Sequence, residues 1–417
     1  MAPLKAKNQT HNSRVSPYPS STLQSPLQKT PFLILLPSQE ETHEEHSVFF
    51  LNLDAKRVHR TKNALNRQLC RSRFIGSSHG WLLLLDECAD PYLFEPFSCR
   101  RVSLLPKETF PHIIGVSGSP EHGFDVEYVH GARQSHVQRS VTAKELQECL
   151  VLKAILSSDP SHGNGEDYLV MAIYGCDAKV AMCKHGDSAW NDLNGQNRPY
   201  CDIICHKNRL FALSETGSVE SWDFGGPLLV KTMNFHPLYI CSKRVAETTC
   251  AYHDRERFSS RCYLAESRGN LLLVERHVGE FVGDNGEAVR EADLLSDECS
   301  HPLVYPYKTL EFTVYRLNFM QQKLEEVESL GDNALFLGGN HSMSLPAAGT
   351  AQHPSRCKKN SIYFTDDYWE RMEEDYSYGG HDVGVFSLGD RSVKPLKHLD
   401  MLHRTDPPPI WLVPNNM

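Results

Sequence analysis

Tyr168-Leu-Val-Met-Ala-Ile-Tyr174 runs into Gly175-Cys-Asp177 and out again as Ala178-Lys-Val-Ala-Met-Cys183. Two short apolar runs joined by a Gly- and Asp-containing turn read as an antiparallel hairpin. The same pattern recurs on both sides. Arg209-Leu-Phe-Ala-Leu213, a Ser-Glu-Thr-Gly217 turn and Ser218-Val-Glu-Ser-Trp222 form one such unit; Cys262-Tyr-Leu-Ala265 with Gly269-Asn-Leu-Leu-Leu-Val-Glu275 forms another. Upstream lie Gly80-Trp-Leu-Leu-Leu-Leu-Asp86, Tyr92-Leu-Phe-Glu-Pro96 and Arg101-Val-Ser-Leu-Leu105. Downstream come Phe312-Thr-Val-Tyr-Arg-Leu317, Ala334-Leu-Phe-Leu337, Ser361-Ile-Tyr-Phe364, Val383-Gly-Val-Phe-Ser-Leu388 and Ile410-Trp-Leu-Val413.

Short strands at this spacing predict an all-β chain: a sandwich, a barrel or a propeller. Length separates them, since residues 31 to 417 exceed one sandwich but fit a β-propeller of six to eight blades at about 40 to 50 residues each. Several strands are apolar at consecutive positions, as expected where both faces are covered. Two segments break the pattern. Thr142-Ala-Lys-Glu145 has the form of a capping box and predicts a short helix through Leu146 and Leu150. Met320, Leu324, Val327 and Leu330 also fall at helical spacing, but a strand over 324–330 is the favoured reading.

The 417 residues are 40% hydrophobic and 23% charged, with a formal net charge of -9. That balance gives no support for a nucleic-acid-binding face. No apolar run reaches the ~20 residues of a membrane helix. The 13 cysteines are odd in number and lack a framework spacing, which reads as reduced thiols in a cytoplasmic or nuclear protein. Residues 1–30 contain Pro3, Pro17, Pro19 and Pro26, many hydroxyl side chains and no acids. They are expected to form a disordered tail, with an organelle-targeting segment as the alternative.

Motifs that would carry chemistry fail on spacing. Cys176, Cys183, His185, Cys201, Cys205 and His206 crowd together, but only Cys201 and Cys205 approach the paired spacing of zinc ligands. Structural packing is the favoured reading, and a metal site the alternative. Gly115-Val-Ser-Gly-Ser119 lacks the order of a nucleophile elbow, and His43-Glu-Glu-His46 lacks the helical spacing of a zinc protease motif. Gly338-Gly-Asn-His341 is too short to cradle phosphate. Asp366-Asp367 sits at a strand end, where adjacent side chains point to opposite faces; a turn or blade-edge role is expected in place of paired acid–base work. No catalytic residue, metal or cofactor is therefore assigned.

The surface feature of interest is Asp366-Asp-Tyr-Trp-Glu-Arg-Met-Glu-Glu-Asp-Tyr-Ser-Tyr378. Trp, Tyr and Arg are enriched in binding hot spots, and loops on rigid scaffolds carry recognition. Tyr368, Trp369, Arg371 and Tyr376 are the candidate protein-binding residues. The alternative is a solvated acidic loop whose Tyr368 and Trp369 cap a blade edge.

Taken in order, these segments resemble the plant KIB-type β-propeller, a domain usually found behind an F-box. Pro31-Phe-Leu-Ile-Leu-Leu-Pro37 is similar to the family's opening strand. Gly80-Trp-Leu-Leu-Leu84 with Leu93-Phe-Glu-Pro-Phe97 is similar to its first blade, with Glu95 where the family has Asn. Leu210-Phe-Ala-Leu213 with Gly217, and Tyr263-Leu-Ala-Glu-Ser267 with Leu271-Leu-Leu-Val274, resemble its middle blades. Leu330-Gly-Asp-Asn-Ala-Leu-Phe-Leu-Gly338, Asn360-Ser-Ile-Tyr-Phe-Thr-Asp-Asp367 and Val383-Gly-Val-Phe-Ser-Leu388 complete the match. The resemblance implies a non-catalytic propeller over residues 31–417 that recognises proteins, as the substrate-recognition part of a Skp–cullin ubiquitin ligase. Residues 1–30 show no F-box pattern, which sets the Skp and cullin partnership in question. An F-box-less regulator or decoy is the alternative function, and an enzyme built on the propeller channel is a third.

Overall fold

The strand Ile410–Leu412 pairs antiparallel with Phe32–Leu35, Trp411 standing opposite Leu33. Val48–Asn52 and Arg57–Thr61 continue the same sheet, so early and late chain close one blade together. The computed structural model describes residues 31–35, 48–53, 57–61, 69, 71–131, 134–162, 167–226, 230–236, 257–283, 286–290, 293, 307–347, 357–367, 381–396 and 408–414. The expected tail at 1–30 lies outside them.

Between the two ends of that closing blade lie five more four- or five-stranded sheets, at 73–103, 151–192, 200–235, 258–326 and 333–395, here blades 1 to 5. All are antiparallel meanders except blade 5, where Asn333–Leu337 pairs parallel with Ser361–Phe364. Innermost strands meet in sequence: Ile410–Leu412, Arg73–Ser78, Val151–Leu156, Tyr200–His206 and Phe258–Ser267, then Met343–Pro346. Leu33, Trp411, Phe336 and Tyr363 share one apolar cluster that joins blade 5 to the closing blade. The described residues thus make a six-bladed β-propeller. Gly76 marks how closely neighbours approach, since a Cβ there would stand 2.0 Å from the Ala154 carbonyl oxygen.

The consecutive apolar strands now have their cause. In Trp81–Leu85 every residue is buried. Trp81, Leu83 and Leu85 pack with Ala154, Leu156 and Val170 toward blade 2. Leu82 and Leu84 pack with Phe32, Ile34 and Ile410 toward the closing blade. Alternate side chains of one strand therefore serve two interfaces, and a polar residue would be misplaced at any of them.

The helix Ala143–Leu150 forms with its capping box complete: Glu145 N–H donates to Thr142 Oγ1 at 3.2 Å, and Thr142 N–H donates to Glu145 Oε2 at 2.7 Å. Leu146 and Leu150 are buried. Gln147 donates to the carbonyls of Arg71 and Asp86, at 3.2 and 2.6 Å, fixing the helix to blade 1. Thr142→Ala is expected to cost ~1 kcal/mol, read as a lower Tm.

Before the helix stands a three-stranded sheet, Ile113–Ser119, Gly123–His130 and Ser135–Val141, outside the ring. In 324–330 the strand is shorter than expected, Lys323–Glu326. Met320 is 95% exposed in the turn before it, while Leu330 returns to the core. Glu95 fills the role expected of Asn in its turn: its carboxylate accepts from Phe97 N–H at 3.0 Å and Ser98 N–H at 2.6 Å.

Polar bonds stitch the blades along the axis. Lys153 pairs with Asp202 at 2.6 Å and donates to the Gly338 carbonyl at 3.4 Å. Asp202 also accepts from Leu264 N–H at 2.6 Å. Ser77 Oγ donates to the Trp411 carbonyl, and His341 N–H donates to the Ser77 carbonyl at 2.9 Å. No helix among the described residues is long and apolar enough to cross a membrane.

Candidate functional site

Arg276 lies on the strand Asn270–Gly279 of blade 4 and is 1% exposed. A guanidinium buried this deeply must satisfy its five N–H groups within the protein. Its Nε donates to Thr309 Oγ1 at 2.8 Å. Nη1 donates to the Thr365 carbonyl at 2.9 Å and to Asp367 Oδ1 at 3.1 Å. Nη2 donates to Asp382 Oδ2 at 2.8 Å. The guanidinium also sits 4.9 Å from the centre of the Phe364 ring.

The acceptors are held in turn. Tyr263 O–H donates to Asp367 Oδ1 at 2.9 Å. Thr309 donates to Asp382 Oδ2 through its N–H at 2.8 Å and its hydroxyl at 2.6 Å. Tyr307 O–H donates to Asp366 Oδ2 at 2.6 Å, and Asp382 N–H donates to the same oxygen at 3.1 Å. His381 Nε2 lies 3.1 Å from the Tyr307 carbonyl. Burial alone would push the Arg276 guanidinium down, but Tyr263, Asp382, Asp367 and Asp366 outweigh it and hold it well above its ordinary value. Burial first, and then the neighbouring Asp366, push the Tyr307 phenol well up.

The network has a definite placement. Arg276, Tyr263 and Thr309 belong to blade 4, whereas Thr365, Asp366, Asp367 and Asp382 belong to blade 5 and flank residues 368–380. Both ends of that segment are therefore fixed to one buried cation across a blade boundary. Asp366 and Asp367 are buried, a deeper position than the blade edge expected of them. The candidate binding residues Tyr368, Trp369, Arg371 and Tyr376 lie outside the described residues.

The clustered thiols of the sequence are dispersed. Cys183 enters the core beside Trp81 and Val170. Cys205 approaches Met171 Sδ at 3.1 Å, and Cys201 donates to the Leu213 carbonyl at 3.5 Å. Among the described residues no three or more His, Cys, Asp or Glu side chains are grouped to hold a metal ion.

A second buried pair in blade 4 gives the molecule a pH signature. Glu275 and His277 are 3.9 Å apart. Burial, then Glu311, push the Glu275 carboxyl up to about 7, and burial pushes the His277 imidazole down. With the imidazole held below its ordinary value, the pair carries little positive charge near pH 7 and is no ion pair there. The unfolded chain releases the Glu275 proton above 4.5, while the folded chain keeps it up to about 7. The folded state binds the extra proton in that window, so Glu275 lowers stability as pH rises through it. Glu275→Gln is expected to match the wild type at pH 4.5 and to exceed it by up to ~3 kcal/mol at pH 8, read from chemical denaturation at both values. His341 acts with the opposite slope: burial, then His79 and Lys153, push it down to about 3, so its contribution is lost as pH falls below 6.5.

A model of the KIB1-4 beta-propeller matches residues 50–387. The F-box protein SKIP23 of Arabidopsis thaliana is 24% identical over 344 residues, covering 80% of this chain and 74% of that protein. The F-box protein At2g26160 of the same plant is 24% identical over 246 residues, 56% of this chain and 61% of its own length. Among solved structures, the N-terminal domain of Nup159 aligns over 90% of this chain and 84% of its own, at 11% identity and a TM-score of 0.25.

Proposed function

Because the chain belongs to the KIB1-4 β-propeller family, we propose that it is a non-catalytic propeller that holds protein partners, in the manner of the substrate-recognition part of a Skp–cullin ubiquitin ligase. Relatives named as F-box proteins support the ligase connection. The observation that carries the recognition site is the Arg276 network, which pins residues on both sides of 368–380. A loop whose ends are rigid loses less entropy on binding than one that is free at its base. The aromatic and basic side chains in it, Tyr368, Trp369, Arg371 and Tyr376, make the partner contacts. The several acids among them favour a partner surface carrying Lys or Arg.

Tagged residues 1–417 are to be recovered from plant extract and probed for the Skp subunit and a cullin. Recovery of both is the expected result. Recovery of a reproducible protein partner without them would remove the ligase half of the proposal and leave a regulator that occupies its partner without delivering it.

A further inference from the structure

A thiol pair far from the Arg276 network lies where the helix Ala143–Leu150 runs into blade 2. Val151 stands opposite Tyr174, and Gly175 N–H donates to the Leu150 carbonyl at 2.9 Å. Cys149 precedes Leu150 at the end of the helix and Cys176 follows Gly175 in the hairpin turn, so this bond brings the two to one corner of blade 2. Cys149 Sγ donates to the Leu146 carbonyl at 3.7 Å, and the two thiols are near enough to shift each other's acidity. Cys176 is exposed and Cys149 half-buried, so one sulfur meets solvent and the other waits behind it. Both line a pocket with His112, Tyr128 and Arg139, whose free space of about 30 Å³ suits one molecule the size of water or a small peroxide.

We propose that Cys176 and Cys149 form an oxidation site for small hydroperoxides, closing to a reversible disulfide that fastens the helix to blade 2. Cys176 is the attacking sulfur. The neighbouring Cys149 thiol holds it below the ordinary range against the opposing effect of burial, and His130 assists; the same proximity pushes Cys149 up. The thiolate attacks a peroxide oxygen, the O–O bond breaks, and the second oxygen leaves as water after taking a proton. Cys176 becomes a sulfenic acid. Cys149 sulfur then attacks Cys176 sulfur, the S–O bond breaks, and the oxygen departs as water with the Cys149 proton. Two thiols and one hydrogen peroxide yield one disulfide and two waters, with two electrons passing from sulfur to oxygen. A thiol reductant reverses the closure. The site is independent of the partner-holding proposal.

The test treats the full chain with hydrogen peroxide and maps its cysteines by mass spectrometry. The expected product is a Cys149–Cys176 cross-linked peptide, lighter by two hydrogens and restored by dithiothreitol. Before oxidation, iodoacetamide at pH 7 should alkylate Cys176 faster than the exposed Cys99 by on the order of tenfold. Cys149→Ser should leave Cys176 as a sulfenic acid trappable by dimedone and should slow its alkylation; Cys176→Ser should leave Cys149 unoxidised. Equal reactivity of Cys176 and Cys99 in the folded wild type, or peroxide products that omit the cross-link, would overturn the proposal. A wild-type measurement decides it even if a variant fails to fold.

Discussion

Arg276→Met is expected to destabilise the propeller by ~3–5 kcal/mol, the usual loss when one partner of a buried ion pair is removed. The methionine fills much of the volume but cannot answer Asp367 and Asp382, each left with a buried charge. Tyr263 and Thr309 still donate to them, so the loss reflects unmatched charge more than absent hydrogen bonds. Adding Asp367→Asn should return part of the stability, since it removes one of those charges and keeps an acceptor for Tyr263. The position matters beyond stability, because the cation bridges two blades and anchors both flanks of 368–380. Thermal unfolding of the three chains checks this. A single variant as stable as the wild type would show that the network is no keystone of the blade 4–5 boundary.

The second large effect is expected at the axis. Lys153→Ala leaves Asp202, fully buried on the next blade's innermost strand, without its cation. The expected loss is again ~3–5 kcal/mol. Asp202→Asn in the Lys153→Ala chain should recover much of it, because the amide oxygen can still accept from Leu264 N–H and no charge stays behind. Chemical denaturation of single and double variants gives the coupling directly. If Lys153→Ala and the double variant are equally destabilised, the lost packing of the lysine stem is the cause and not the stranded carboxylate.

Much of the ring was legible because its strands bury both faces. Trp81–Leu85 and Leu169–Tyr174 carry apolar side chains at consecutive positions, and that pattern exists wherever one strand serves two interfaces. The capping box at Thr142 and Glu145 was equally legible, since its two hydrogen bonds are local. The strand Gly123–His130 carried a signal that the sequence reading passes over: Phe124 and Val126 alternate with Asp125 and Glu127, and the structure buries the first pair and exposes the second. Tyr200–His206 was obscured by its cysteines, which invite comparison with metal ligands. Its polar Asp202 gave no sign of facing an axis.

Arg276 was the least legible of all. It ends the apolar run Leu271 to Val274, where a charged residue after Glu275 reads as a strand running out into solvent. Its partners lie 91 and 106 positions away, and no local spacing encodes a contact set by the order of blades. The available clue was an imbalance: Asp366-Asp367 at a strand end, with Asp382 just beyond the same segment, requires a cation from elsewhere if the strand is central.

The most direct test of partner recognition by 368–380 compares the wild type with a Tyr368→Ser, Trp369→Ser, Arg371→Ser, Tyr376→Ser chain, measuring capture of the recovered partner and thermal unfolding side by side. Loss of capture with Tm unchanged is the predicted result, because the anchoring network at Arg276 is untouched. Undiminished capture by the substituted chain would contradict the account and place recognition on another face of the propeller.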